Sequence, residues 1–376
     1  MGRRPESVLF VLSRVLGGKT FSAHIQKALE GMDHIRPYFV FLEEEDFGRY
    51  RDKVPLPFRM AHVFRASYIL RWKLRQSPLP RFDALFVQSF ELLPGCSGIA
   101  PGAPAVLAHD STNILSYQLI RDQEPGPAAS LAYWIKKRMT TPVYRRALRR
   151  VRVFMPRTHW CADSLIRDYG VDPERIIVAP GGLDTSSWRP AAHGQGEPQG
   201  GPKSLLFVGN DFQRKGGPFL LDVFRKHIHP RARLRVISND PALRGRSWPP
   251  GVEHLSGLGP GNREAMAEAF RRSHVFAFPT RKEHMGMVLL EAAAMRLPIV
   301  ATDVGGVREI VRHGENGYLL PYRAAEEEWA GALLELLRDD ERRARFGQRG
   351  REMAEKEFSV SALRLKLESA LCRVLE

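Results

Sequence analysis

Phe278-Pro279-Thr280-Arg281-Lys282-Glu283-His284-Met285-Gly286-Met287-Val288-Leu289-Leu290-Glu291-Ala292-Ala293-Ala294-Met295, followed by Pro298-Ile299-Val300-Ala301-Thr302-Asp303-Val304-Gly305-Gly306, is the most informative stretch of the chain. Val275 to Pro279 is a short apolar run closed by proline, the signature of a buried strand. A loop then carries Glu283. A helix starts near Gly286 and stops before Pro298, because proline lacks the amide that would continue the helical ladder. Pro298 to Thr302 reads as the next strand. Strand, loop, helix and strand in this order make a βα unit, the building block of a parallel sheet with helices on its faces.

The same alternation extends outward. Ser204 to Gly209 and Leu234 to Ser238 are strand-like and each leads into a helical pattern. The first half of the chain repeats it: Ser7 to Leu12 then Thr20 to Leu29, Ala84 to Gln88, Ala105 to Ala108, Val151 to Met155 then Trp160 to Tyr169, and Ile176 to Ala179. The fold class expected is α/β, with two Rossmann-like, doubly wound domains facing across a cleft, where ligands bind past the carboxyl ends of the strands. Residues 1–185 form the N-terminal domain on this reading, and 204–358 the C-terminal one. Residues 186–203, rich in Gly, Pro, Ala and Gln, read as an exposed linker. In 359–376, Val360, Leu363, Leu367, Leu371 and Val374 share one helical face, so this helix must dock; it is expected to pack back toward the N-terminal domain.

A length of 376 residues suits about two domains, and 43% hydrophobic with 26% charged residues suits a globular chain. No apolar run approaches the length of a spanning helix. The N-terminal run is broken by Arg14 and fits no signal peptide, and Glu6 breaks the myristoylation pattern. Cys96, Cys161 and Cys372 show no CxxC spacing, so neither a disulfide framework nor a zinc site is expected, and a cytoplasmic location fits. The net charge is +15, and residues 51–150 hold 16 Lys/Arg against 6 Asp/Glu. Such concentration points to an anionic partner: a membrane surface, nucleic acid or a phosphorylated substrate. A solvated basic face is the plainer alternative. Phe64, Tyr68 and Trp72 recur at helical spacing among cations, and Lys136-Lys137-Arg138 with Arg145-Arg146 and Arg149-Arg150 make a second cluster. At about 1 kcal/mol per basic residue near an anionic bilayer, six would support reversible docking. The aromatic stripe fits a domain core equally well.

Three motifs carry chemistry. Val208-Gly209 ends a strand and leads through Asn210, Arg214, Lys215, Gly216 and Gly217 into a helix. Two cations and two glycines ahead of a helix N-terminus can hold a diphosphate, although alone they also describe a solvated turn. No GxGxxG follows any strand, which weakens a nicotinamide or flavin reading. Gly17-Gly18-Lys19-Thr20 imitates the end of a P-loop, but Ser13 stands where that motif begins with glycine, so the pair reads as a tight turn. Second, Glu283 in its loop and Glu291 in its helix can face one ligand. A carboxylate accepts two hydroxyl hydrogen bonds, which suits sugar and ribose diols, and the amides of Gly286, Met287 and Val288 are free for phosphate. Two isolated glutamates also fit a buried salt-bridge partner and a surface charge. Third, His109-Asp110 sits at a strand end, where a cleft-facing group would lie, although a lone histidine is more often structural. His227 and His229 lack a third ligand, and no DxD occurs, so no metal is expected.

Glu283 and Glu291 form an E-x7-E pair in the setting found in the retaining, GT-B-fold glycosyltransferases of family 4, the glycosyl transferases group 1, and much of the chain resembles that family. The loop from Val208 to Gly216, the segment Val178-Ala179-Pro180-Gly181-Gly182-Leu183-Asp184, Gly305-Gly306-Val307-Arg308-Glu309 and Asn316-Gly317 carry the resemblance. It is strong from about Phe154 to Leu320 and thin before that. The resemblance implies that Lys215 and Arg214 grip a donor diphosphate, Glu283 contacts the transferred sugar and Glu291 holds the ribose. It implies an acceptor-side role for His109 and a donor-side glycine turn at Gly17-Gly18. Asn210 departs from the arginine often found there, leaving Arg214 as the substitute. The expected activity is metal-independent, retaining transfer from a nucleotide diphosphate sugar, a co-substrate rather than a cofactor, to a hydroxyl acceptor in polysaccharide, glycolipid or glycoconjugate synthesis. Lipid-linked acceptors and peripheral contact with the inner face of an anionic membrane are compatible partners; nucleic acid is not expected. The rivals are a GT-B nucleotide-sugar epimerase and a basic nucleic-acid-binding protein, and the second leaves the glutamate pair unexplained because carboxylates repel phosphates.

Overall fold

The computed structural model describes residues 6–15, 18–50, 62–96, 99, 102–123, 126–190 and 201–376. The chain divides into two compact units, Met1–Gly182 together with Val360–Glu376, and Leu183–Ser359.

In the first unit β1 (Glu6–Ser13), β2 (Ile35–Leu42), β3 (Ala84–Gln88), β4 (Ala105–His109) and β5 (Val151–Pro156) form a wholly parallel sheet in the order β2-β1-β3-β4-β5. The period of two along β1 builds a core on each face: Val8, Phe10 and Leu12 meet Phe21 and Ile25, while Leu9 and Val11 meet Leu70 and Phe90. The helix Val360–Leu375 belongs to this unit and buries Leu363, Leu367, Leu371 and Val374 in the first of these cores. Tyr68 and Trp72 pack against the other, so these members of the aromatic stripe are domain core with cations at its margin. The side chain of Phe64 lies outside the described residues.

In the second unit β6 (Ser204–Val208), β7 (Arg233–Ile237), β8 (Val252–Leu255), β9 (Val275–Phe278), β10 (Ile299–Thr302) and β11 (Gly317–Leu320) form a parallel sheet in the order β11-β10-β9-β6-β7-β8. Phe276 and Phe278 point to one face and Val275 and Ala277 to the other, each into its own core. Both sheets are doubly wound, as the sequence predicts. Successive strands proceed outward from β6 in one direction and from β9 in the other, so the loops after these neighbours diverge and leave a crevice at their carboxyl ends.

The structure differs from the sequence reading in three places. β2, β8 and β11 escaped it, and each is a sheet edge. Ile176 to Ala179 is no strand of its own; it runs beside β5, with Ile177 N donating to Phe154 O at 2.8 Å and Ala179 N to Pro156 O at 2.9 Å. The start of the supposed linker is built into the second unit: Trp188 is buried and meets Phe270 edge-on at 5.3 Å. Residues 191–200 of that segment lie outside the described residues.

Candidate functional site

Two loops meet at the crevice between β6 and β9. The first runs from Gly209 to Gly217 and the second from Pro279 to Gly286. Arg281 N donates to Arg214 O at 2.9 Å, and Arg214 Nη1 donates to Lys282 O at 2.6 Å while its Nε donates to Asp211 Oδ2 at 2.7 Å. Glycine makes this approach feasible. Gly216 has φ +79°, and a Cβ there would stand 1.9 Å from Pro279 O. On the far side of the second loop Gly305, at φ +54°, would bring a Cβ to 2.0 Å from Glu283 O, and Gly306 N donates to His284 O at 3.0 Å. The segment that carries Glu283 is therefore clamped on both sides by backbone that no side chain could replace.

Lys215 and Glu283 meet inside the clamp. Lys215 Nζ lies 3.0 Å from Glu283 Oε2 and 4.7 Å from the centroid of the Phe278 ring. Both side chains are mostly buried, 17% and 16% exposed, so the pair is stronger than a surface ion pair. Arg214 Nη1 stands 4.0 Å from the same carboxylate oxygen. The helix Met287–Ala294 starts where the second loop ends, with Gly286 as its cap. Its first-turn amides, those of Met287 and Val288 included, have no acceptor within the helix and form its positive end. Glu291 lies one turn in. Loss of water around its carboxylate pushes its pKa up to about 7, against the opposing pull of Arg263 and Lys215. The ammonium of Lys215 thus acts on both acids that the E-x7-E spacing selects.

The other expected residues fall differently. Asn210 is exposed and its Oδ1 accepts from Asn239 N at 3.0 Å, so it ties two loops together. His109 belongs to the first unit, at the end of β4. It is buried, packs 5.4 Å from the Phe90 ring, and neither ring nitrogen reaches hydrogen-bond geometry with a partner. Burial lowers its pKa to about 4, with Asp110 and the Leu107 backbone pulling upward and Arg157 downward, so the imidazole is neutral at ordinary pH. Gly18 opens the helix Gly18–Leu29, and its carbonyl accepts from Gln88 Nε2 of β3 at 3.1 Å. Gly17 lies outside the described residues. Sequence reasoning missed Arg263, the cation acting on Glu291, and Phe278 as the ring beneath Lys215. A cation opening a helix just after the Gly257-Leu258-Gly259 turn is the signal that marks Arg263. Among the described residues no group of three His, Cys, Asp or Glu side chains is placed to hold a metal ion.

Two doubly wound parallel sheets, the second with an acid pair and a lysine at its switch point, define a GT-B-fold protein. Residues 189–353, less than half of the chain, match the family described as "Glycosyl transferases group 1". Phosphatidyl-myo-inositol mannosyltransferase of Mycobacterium tuberculosis is 29% identical over 255 residues, covering 65% of this chain and 65% of that protein. D-inositol 3-phosphate glycosyltransferase of Rhodococcus jostii is 32% identical over 200 residues, 49% of this chain and 44% of that protein. The chain thus spans 65% or less of the length of these curated relatives. Among solved structures, sucrose-phosphate synthase from Thermosynechococcus elongatus has a TM-score of 0.73 at 15% identity, covering 98% of this chain and 99% of that one. Anabaena Alr3699/HepE in complex with UDP and glucose has a TM-score of 0.66 at 15% identity, with 98% and 99% covered. These structures share the fold.

Proposed function

We propose that the protein is a retaining glycosyltransferase that moves a sugar from a nucleotide diphosphate donor to a hydroxyl acceptor without a metal ion. The observation that carries this reading is the convergence of Lys215, Glu283 and Glu291 at the switch point of the second sheet. The bound UDP and glucose of the HepE structure and the mannosyl and inositol chemistry named in the curated relatives are in keeping with it.

Lys215 is held by Glu283 in the free protein. An arriving diphosphate competes for the ammonium, and the carboxylate then offers its oxygens to sugar hydroxyls. As the bond between the anomeric carbon and the phosphate oxygen breaks, negative charge collects on the diphosphate, where Lys215 and the first-turn amides at Met287 and Val288 stabilise it. The acceptor oxygen bonds to the anomeric carbon from the face the diphosphate leaves. Its proton passes to a phosphate oxygen, so configuration is retained. Glu291 accepts from the ribose hydroxyls. His109, neutral and with unused ring nitrogens, serves the acceptor side. The acceptor is lipid-linked and met at an anionic membrane surface, as in glycolipid or polysaccharide synthesis.

The test is incubation of the purified protein with a panel of nucleotide sugars and hydroxyl acceptors, with and without EDTA, following nucleotide release and the anomeric configuration of the product. Acceptor-dependent release that EDTA leaves unchanged, with retained configuration, is the expected result. An isomerised donor formed without acceptor would instead make the protein an epimerase, and an inverted product would remove the same-face step.

A further inference from the structure

Among the described residues seven large apolar side chains stand exposed, and five of them lie on the single helix Pro127–Leu148: Leu131, Trp134, Ile135, Met139 and Val143. Their exposure runs from 38% to 66%. The opposite side of the helix is buried through Tyr133, Thr140, Tyr144 and Ala147. Spacings of three and four residues put the five on the outward side as one stripe. The outermost members, Leu131 and Val143, stand a little over three helical turns apart with the other three between them, so the apolar surface is continuous rather than a scatter of single residues, which would need no explanation.

The charges on this helix are all of one sign. It holds Lys136, Lys137, Arg138, Arg145 and Arg146, and no acid. Arg138 is exposed and lies beside Trp134 and Ile135 on the outward side; Arg145 and Arg146, with Arg149 just beyond, continue that side toward the C-terminal end. The outward face therefore combines apolar and basic side chains: Arg138 lies among the apolar residues, and Arg145, Arg146 and Arg149 follow them toward the C-terminal end. We infer that this face is a docking surface for an anionic lipid bilayer. Trp134 and its aliphatic neighbours enter the boundary between headgroups and acyl chains, while the arginines meet lipid phosphates, the pairing that interfacial helices use. A second copy of the chain fits poorly, because it would bring two acid-free basic helices together. A protein partner's apolar groove fits poorly too, since Arg138 would be buried at the centre of the contact. Insertion across the bilayer is not at issue: no described helix is long and apolar enough to span it.

The surface is coupled to the rest of the first unit. Asn113 Nδ2 donates to Thr140 Oγ1 at 2.6 Å, linking this helix to Asn113–Gln123, which begins four residues after His109. Docking would hold the end of β4 near the bilayer. The inference deepens the part of the proposed function that brings a lipid-linked acceptor to a membrane, and it requires nothing of the donor site.

Flotation of the full chain with vesicles of phosphatidylcholine alone, or mixed with phosphatidylglycerol, tests it. The protein should float with the mixed vesicles, poorly with the neutral ones, and less as salt is raised. Trp134 should shift its emission to the blue, seen as the difference from Trp134→Phe. Arg138→Glu with Arg146→Glu and Arg149→Glu should weaken binding by roughly a hundredfold or more. Leu131→Ser with Ile135→Ser and Met139→Ser should weaken it by at least about tenfold. All these side chains are exposed, so circular dichroism and the melting temperature should match wild type, which separates lost binding from lost folding. Wild-type protein that ignores the mixed vesicles, or folded variants that bind them like wild type, would overturn the inference. So would concentration-dependent dimerisation that the serine variant abolishes while vesicles go unbound. Nucleotide release with a soluble acceptor should survive in both variants, so failure here is distinguishable from failure of the transferase reading.

Discussion

Lys215 touches Glu283 at 3.0 Å and acts on Glu291, so the chemistry proposed turns on one ammonium group. A charge-assisted hydrogen bond is worth about 1.5–3 kcal/mol, and if it strengthens as charge moves to the leaving group, its loss shows in turnover. Lys215→Ala should lower kcat by at least about tenfold at saturating donor; an unchanged kcat would remove the role. Glu291 makes a prediction in pH. Its pKa rises from 4.5 to about 7 in the folded chain, so between those values the native state holds a proton that the unfolded state has lost. The stability this group contributes is therefore complete below about 4.5 and is lost as pH rises to about 7, while its capacity to accept from ribose hydroxyls grows through the same window. Donor affinity should climb between pH 6 and 8 more steeply in wild type than in Glu291→Gln. Parallel profiles would contradict the assignment. The two acids were legible because their spacing is local, a loop and the helix after it. Arg263 was not, because its approach to Glu291 is set by how two helices lie on one sheet, which leaves no mark at fixed spacing.

The clamp around Glu283 is a property of loops rather than of any one side chain. Gly216→Ala and Gly305→Ala each combine a positive φ with a Cβ about 2 Å from a carbonyl oxygen, so the opposing loop must move. Each should cost at least about 1–3 kcal/mol, read from the urea midpoint, and should lower turnover. Gly245→Ala has φ +71° but open space around it, and should cost only the left-handed penalty of about 1–2 kcal/mol with activity kept. Equal losses at all three would show that the close approach is immaterial. Legibility at this scale follows burial. Central strands such as Val8-Leu9-Phe10-Val11-Leu12 are covered on both faces and read as unbroken apolar runs. The edge strands do not: Ile35–Leu42 carries Arg36 and Pro37, and Val252–Leu255 carries Glu253 and His254. Among the described residues no strand pairs with their outer sides, so a proline and charges are tolerated and the pattern blurs.

Across the whole molecule, the doubly wound topology was readable from the order of elements alone, because parallel strands need crossovers and crossovers need helices. The boundary near Leu183 was harder. Composition marked 186–203 as loop, whereas the isolated Trp188 side chain decides that its beginning is packed in the second unit. The C-terminal stripe shows the converse, since Leu363, Leu367, Leu371 and Val374 announce burial at helical spacing and find it in the first unit. Truncation after Ser359 should therefore lower the calorimetric transition of the first unit and leave that of 183–359 in place. A thermogram identical to that of the full chain would contradict this partition.

The grip on a diphosphate is tested most directly by titration calorimetry of uridine, guanosine and adenosine diphosphates into wild type and Lys215→Ala at pH 8. Wild type should bind at least one of them, and the alanine variant should bind it at least about tenfold more weakly, the loss of one charge-assisted contact. A wild-type protein that binds none of the three, or a variant that binds as tightly as wild type, would contradict the account.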